Sequence, residues 1–235
     1  MAECPNLEQW IARQTGLSRR RVYDLYKAGQ VLINGNPPKL LTQAFNPKKD
    51  TLHVKGEKLQ SQAVSCVYYK FHKPSDVLTT LSDPRGRRTV ADFINRLPTP
   101  VFPVGRLDRH STGLLFLTND GDWANQLMHP KFHISKTYAV SVDQPITKTH
   151  LARLSAGFIL EDGPFRFLKV DCTDKTHLTV TIDEGRNRII RRAFETLGYT
   201  VKKLKRLSIG SVQLGTLEEG KIRPLSPSEL RGLRI

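Results

Sequence analysis

Apolar residues recur along this chain at two different spacings, and the change from one to the other divides it. Leu7, Trp10 and Ile11 stand at helical spacing, and Val22, Leu25 and Tyr26 continue an apolar stripe on a second helix for which Ser18 is the N-cap. Val31-Leu32-Ile33, an Asn34-Gly35 turn and the segment 51–54 then predict strands around a tight reversal. A polar stretch, 56–62, predicts a linker and places domains at 1–60 and 61–235. Beyond it, segments 64–71, 114–117, 138–142, 168–170, 178–182 and 202–206 have the content of strands. Segments 147–156 and 188–197 carry helical periodicity, the second closed by Gly198, and Ser226-Pro227-Ser228-Glu229 is a capping box that opens a last helix. The irregular alternation predicts an α+β fold, a small α/β domain followed by a mixed, mainly antiparallel sheet flanked by helices.

Charge narrows the class of partner. The 235 residues include 37 Lys and Arg against 22 Asp and Glu, a formal net charge of +15, so a polyanion is expected. The cations fall in several clusters: Arg19, Arg20 and Arg21; Arg85, Arg87 and Arg88; Arg186, Arg188, Arg191 and Arg192; Lys202, Lys203, Lys205 and Arg206. Clusters inside patterned segments describe a folded surface that tracks a phosphate backbone rather than one disordered basic arm. The first cluster opens the second helix, where backbone N–H groups and side chains together suit phosphate. Neither a basic leader followed by an apolar run nor a bilayer-length apolar stretch is present, which predicts a cytoplasmic protein without membrane association. Cys4, Cys66 and Cys172 lack disulfide or zinc-ligand spacing, and no coiled-coil heptads occur, so no metal site and a monomer are expected.

One segment looks reactive. Residues 105–121, GRLDRHSTGLLFLTNDG, set Asp108 between Arg106 and Arg109 at the entry to the apolar run 114–117, with Asn119-Asp120-Gly121 ending it. Flanking guanidiniums favour an ionised carboxylate, suited to a nucleophile or an electrostatic anchor. Taken alone, however, an Asp in an R-L-D-R turn is more often an ordinary ion pair.

Its company decides otherwise. Residues 105–121 resemble the catalytic motif of RNA pseudouridine synthases, in particular the group that modifies ribosomal RNA and carries an S4 RNA-binding domain in front. Phe71-His72-Lys73-Pro74 and the segment 83–90 are similar to that family's "NKPxG" and "DPxGRxTV" motifs, with His72 for the usual Asn and Asp76 for the usual Gly. Lys136-Thr137-Tyr138 resembles its "KxY" strand, and 184–192 resembles "EGRNRQVRR", with Ile189 for Gln and, just beyond, Ala193 for Met. Residues 7–60 resemble the S4 domain through 31–35, although Asn6-Leu7-Glu8-Gln9 stands where that family often has Arg-Leu-Asp-Lys.

The resemblance implies a cofactor-free isomerase that turns a uridine of ribosomal RNA into pseudouridine. It makes Asp108 the catalytic aspartate, Tyr138 the aromatic that stacks on the base, Arg191 the partner of the carboxylate and Ile190 the apolar backing of the uracil. Arg106, Lys73, Arg186 and Arg188 join Ile190 as substrate-binding residues. Arg19, Arg20, Arg21, Arg85, Arg87, Arg88, Lys205 and Arg206 are assigned to RNA binding. The segment 160–164 looks like members that act on the large subunit. Asp108 can attack C1' or C6 or take a proton at C2'; these routes stay open. The alternatives are a non-catalytic S4-type ribosomal RNA-binding or ribosome-assembly factor, which would not require Asp108, Tyr138 and Arg191 together, and a glycosidase, for which Asp120 is a poor second carboxylate.

Overall fold

The structure, a computed structural model, describes residues 6–60 and 65–233, so Cys4 and the predicted strand start at Val64 lie outside the described residues. The chain forms two compact units, the first made of the described residues up to Cys66 with Asn119–Gly121, the second of the remainder.

The first unit contains α1 (Leu7–Thr15), α2 (Arg19–Lys27), β1 (Val31–Ile33), β2 (Leu52–Val54) and β3 (Glu57–Lys58). The Asn6 side chain accepts from the amides of Glu8 and Gln9 to start α1, Gly16 at φ +70° ends it, and Ser18 caps α2 by accepting from the Arg21 amide. Leu7, Trp10 and Ile11 of α1 and Val22 and Leu25 of α2 bury their stripes against Leu41, Phe45 and Leu52.

Two expectations need correction in this unit. Asn34-Gly35 does not join β1 to β2 in a tight hairpin. β1 pairs antiparallel with β2 in the register Val31↔Val54, but the chain between them runs through residues 34–51. Asn34 ties the two ends of that excursion, donating to Asp50 at 3.0 Å and accepting from the Thr51 amide at 2.8 Å, while Leu41 and Phe45 from its middle complete the core. The tight hairpin lies one strand later. Lys55 and Gly56 both have positive φ and join β2 to β3, so residues assigned to a linker belong to the sheet.

The second unit is built from β4 (Tyr68–Lys73), α3 (Ala91–Ile94), β5 (Phe102–Val104), β6 (Thr112–Thr118), α4 (Gly121–Met128), β7 (Lys136–Val142), α5 (Lys148–Ala156), β8 (Phe158–Leu160), β9 (Gly163–Phe165), β10 (Lys169–Asp174), β11 (His177–Ile182), α6 (Ile189–Glu195), β12 (Val201–Ile209), β13 (Val212–Gln213), β14 (Ile222–Pro224) and α7 (Pro227–Arg231). Its sheet runs β10-β11-β7-β12-β6-β4-β14, with β13 on β12 and β5 on β6. All of these pairs are antiparallel except β12 with β6, so the architecture is the mixed, mainly antiparallel α+β fold that the pattern predicts.

Continuous apolar runs mark strands buried on both faces, and β6 is one. Leu115 and Leu117 face a core shared with α3, α5 and α6, while Leu114 and Phe116 face a second core shared with α4. α5 begins at its Thr147 cap, and Ser226 and Glu229 form the predicted capping box at α7. After α6, the Tyr199 amide returns to the Phe194 carbonyl across Gly198 at φ +80°, the close that the glycine predicts. Leu168 is the exception among the strand expectations: it is 51% exposed and precedes β10.

Candidate active site

Residues 105–111 connect β5 to β6 as a loop, so Asp108 stands four residues before its strand rather than on it. The loop is pinned from two sides. Thr79 Oγ1 donates to the Leu107 carbonyl at 2.7 Å and accepts from the Leu107 amide at 3.2 Å. Lys73, wholly buried, donates from Nζ to the carbonyls of Pro74, Arg109 and Ser111. Arg109 turns outward to pair with Asp76 at 2.6 Å. Asp76 sits at φ +60°, a conformation glycine adopts freely, and its carboxylate adds a link to the loop that glycine could not make.

The carboxylate of Asp108 meets neither sequence neighbour among the described ion pairs; its partner is Arg191 of α6, with Nε 3.9 Å from Oδ2. Arg191 is 8% exposed, and its Nη1 donates to the Val201 carbonyl at 2.7 Å. Its Nε and Nη2 have no hydrogen-bond partner among the described residues. Burial lowers the affinity of the Arg191 guanidinium for its proton, Arg188 adds to that effect, and the Asp108 charge opposes it. The same balance acts on Lys73: burial pushes its amine down to about 8, with Asp108 the largest opposing influence.

Asp108, Tyr138 and Ile190 line one cleft of about 880 Å³, and Arg191 stands behind the carboxylate. Tyr138 lies on β7, 7% exposed. Two residues before it on the same strand, Lys136 also lines the cleft; burial, with help from Arg206, depresses its amine to about 8. A carboxylate held against a buried cation can form a bond at a sugar carbon, and an aromatic ring and an apolar wall in the same cleft can keep a detached flat base in place.

The sequence model of the RNA pseudouridylate synthase family matches residues 67–196, more than half of the chain and all of the segments just described except β12. The chain belongs to this family. It is 39% identical, over 97% of its own length and 95% of the relative's, to the ribosomal large subunit pseudouridine synthase B of Bacillus subtilis (strain 168). It is 36% identical to the protein of the same name from Vibrio cholerae serotype O1, over 88% of this chain and 67% of that one. A solved structure described as a pseudouridylate synthase superposes with a TM-score of 0.70 at 31% identity, covering 97% of this chain and 99% of the other.

In this family member the remaining expected site residues take different places. Arg106 is exposed and lines the cleft, as does Arg188, which precedes α6 at φ +47° and reaches Glu195 at 3.7 Å. Arg186 also lines it but is clamped by Glu184, by Asp162 and by the Pro164 carbonyl, so it binds the β8–β9 turn to the cleft rim. Lys73 is not a cleft-facing residue; its place is beneath the loop.

Among the cations assigned to RNA, Arg85, Arg87 and Arg88 are exposed, Arg87 pairing with Asp83 and Arg88 lying over the Phe93 ring. Lys205 is half-buried. Arg206 is a correction: it is 4% exposed and points inward, because alternation along β12 puts it on the cleft side. In the first unit Arg19 is tied to Glu8 at 2.6 Å, while Arg20 and Arg21 are exposed. Thr79 and Lys136 carry no assignment from the sequence. Lys136 opens the K-T-Y motif, a signal that was present; a threonine hydroxyl that staples a loop leaves none.

Proposed function

We propose that this enzyme isomerises a uridine of ribosomal RNA, in the large subunit, with Asp108 as the catalytic carboxylate, Arg191 as its anchor and Tyr138 as the platform for the base. The observation that carries the reading is the Arg191–Asp108 pair at 3.9 Å beside Tyr138 in one cleft. The large-subunit assignment is supported by the names of the Bacillus and Vibrio relatives. The reaction breaks the C1'–N1 bond, turns the base and rejoins it through C5; one proton leaves C5 and one arrives at N1. Asp108 engages the ribose or the base, and Ile190 and Tyr138 keep the loose uracil from escaping.

Exposed Arg106, Arg85, Arg87 and Arg88 suit the flanking RNA backbone, whose contacts offset the few kcal/mol that unstacking a nucleotide costs. The first unit acts as an S4-type RNA-binding domain: two capped helices lead to a small sheet, with exposed Arg20 and Arg21 at the start of α2. Among the described residues no helix is long and apolar enough to cross a membrane.

Carbodiimide labelling and primer extension on ribosomal RNA, from cells with and without the gene, tests this. One pseudouridine stop in large-subunit RNA should vanish with the gene, return with the wild-type protein and stay absent with Asp108→Asn. An unchanged stop pattern, or full rescue by Asp108→Asn, refutes the assignment.

A further inference from the structure

Arg206 is a buried cation with no carboxylate within ion-pair distance among the described residues. Its Nε donates to the Leu114 carbonyl at 2.6 Å, and its Nη1 donates to the hydroxyl of Tyr138 at 3.4 Å. The guanidinium carbon lies 6.0 Å from the centre of the Tyr138 ring, and Nη2 has no partner among the described residues. Backbone register enforces this meeting: Arg206 lies opposite Tyr138 in the β12–β7 ladder and opposite Gly113 in the β12–β6 ladder. Both side chains line the cleft.

We propose that Arg206 is a positioning residue that fixes Tyr138 as a hydrogen-bond donor toward the base; the proposal rests on the reading of Asp108 and Tyr138 given above. A guanidinium can only donate, so the Tyr138 oxygen must accept from it and its own hydrogen is turned away. When the C1'–N1 bond breaks with its electron pair left on the base, the uracil is an anion. A tyrosine O–H already aimed at that anion, backed by a cation with no carboxylate partner, stabilises charge that exists only after bond breaking. No net proton moves in this step. A surface arginine gripping phosphate would instead contribute to RNA binding.

The test is a double-mutant cycle in the full-length protein, with ribosomal RNA carrying tritium at uridine C5 as substrate. Product formation releases that tritium, so single-turnover rates read the chemistry, and filter binding reads RNA affinity separately. Arg206→Met and Tyr138→Phe should each slow release by roughly 10²-fold with RNA affinity retained. In the Tyr138→Phe background, Arg206→Met should cost little more, because the group it acts through is already gone.

Losses that multiply, a fall in RNA affinity that accounts for the slower release, or an undiminished Tyr138→Phe rate overturn the inference. Should Arg206→Met not fold, the same cycle with Arg206→Lys decides: the lysine keeps the charge but not both hydrogen bonds, and its loss should likewise vanish without the tyrosine hydroxyl. A wild-type enzyme that releases no tritium overturns the proposed reaction and this inference with it; an active wild type with independent losses overturns this inference alone.

Discussion

Arg191 Nε stands 3.9 Å from Asp108 Oδ2, while Arg109, the residue next to that aspartate, pairs with Asp76 instead. Arg191 also holds the Val201 carbonyl through Nη1, so one planar group spans the start of β12 and the carboxylate. A lysine ammonium is a point charge and cannot keep both ends of that span. Arg191→Lys should therefore lower kcat by about 10²-fold, as misplacement by about an ångström does, with little change in KM. Steady-state kinetics on an RNA fragment containing the target uridine checks this; a rise in KM with kcat unchanged would assign Arg191 to RNA binding.

Gly113 should tolerate no side chain. Its φ is +108°, and a Cβ there would overlap the backbone amide and carbonyl of Arg206 across the β6–β12 ladder. Neither group can withdraw without parting the strands. Gly113→Ala is expected to cost about 3 kcal/mol, at the upper end for strain of this kind, and urea unfolding measures it.

Lys73 makes stability depend on alkaline pH. Burial depresses its amine from 10.5 to about 8, so between those values the unfolded chain binds the proton and the folded chain does not. Below about pH 8 both forms are charged and the fold bears the full burial cost; the cost is relieved as pH rises to about 10.5. Measured against Lys73→Met, the wild-type protein should gain stability across that window, by at most about 3 kcal/mol at about 1.4 kcal/mol per unit. Paired denaturant titrations at pH 7 and pH 10 read the difference, and a wild-type stability that falls relative to Lys73→Met between them contradicts it.

Glu229 sets the opposite dependence at acid pH. Burial pushes its carboxyl up, but hydrogen bonds from Arg223, the Ser226 amide and Lys70 outweigh burial and hold it at about 2. Its contribution is complete above about pH 4.5 and is lost as pH falls toward 2. Glu229→Gln should be less stable than wild type by up to about 3 kcal/mol near neutrality, and the two should converge in acid. Thermal melts of the pair from pH 7 to pH 3 follow the convergence.

The basic start of α2 yields a salt-dependence prediction. Removing Arg20 and Arg21 together should weaken RNA binding and make the log–log salt slope shallower by roughly 0.7 to 0.9 for each phosphate they neutralise. Arg19→Ala should change the slope less, since Glu8 already holds that side chain. An unaltered slope in the double variant would remove these residues from the interface.

Local pattern made much of the fold and site legible. The apolar run 114–117, the Ser226 cap and the Gly198 stop depend on neighbours in sequence, and each appears where the pattern places it. The motif segments likewise brought Asp108, Tyr138, Ile190 and Arg191 into consideration together. What sequence concealed was direction. Arg206 sits in a run of cations, yet strand alternation sends it, with Leu204, to the buried side while Lys203 stays exposed. Lys73 reads as a substrate contact, but only the folded loop shows three carbonyls around its amine. Asn34-Gly35 has the chemistry of a hairpin turn, and the pairing that overrules it is set by Leu41 and Phe45, several residues further on.

The β6–β12 ladder also bears on how activity is acquired during folding. It is the parallel pair in the sheet, joining residues as distant as Thr112 and Lys205, and it is where the strand leaving the Asp108 loop meets the strand that carries Arg206. Tyr138 and Arg191 lie on the β12 side of that seam, and Lys73 and Thr79, which hold the loop, on the other. Contacts this remote in sequence close late and slowly. Neither portion of the sheet contains a working centre alone, so a partly folded chain has no residual catalysis to offer.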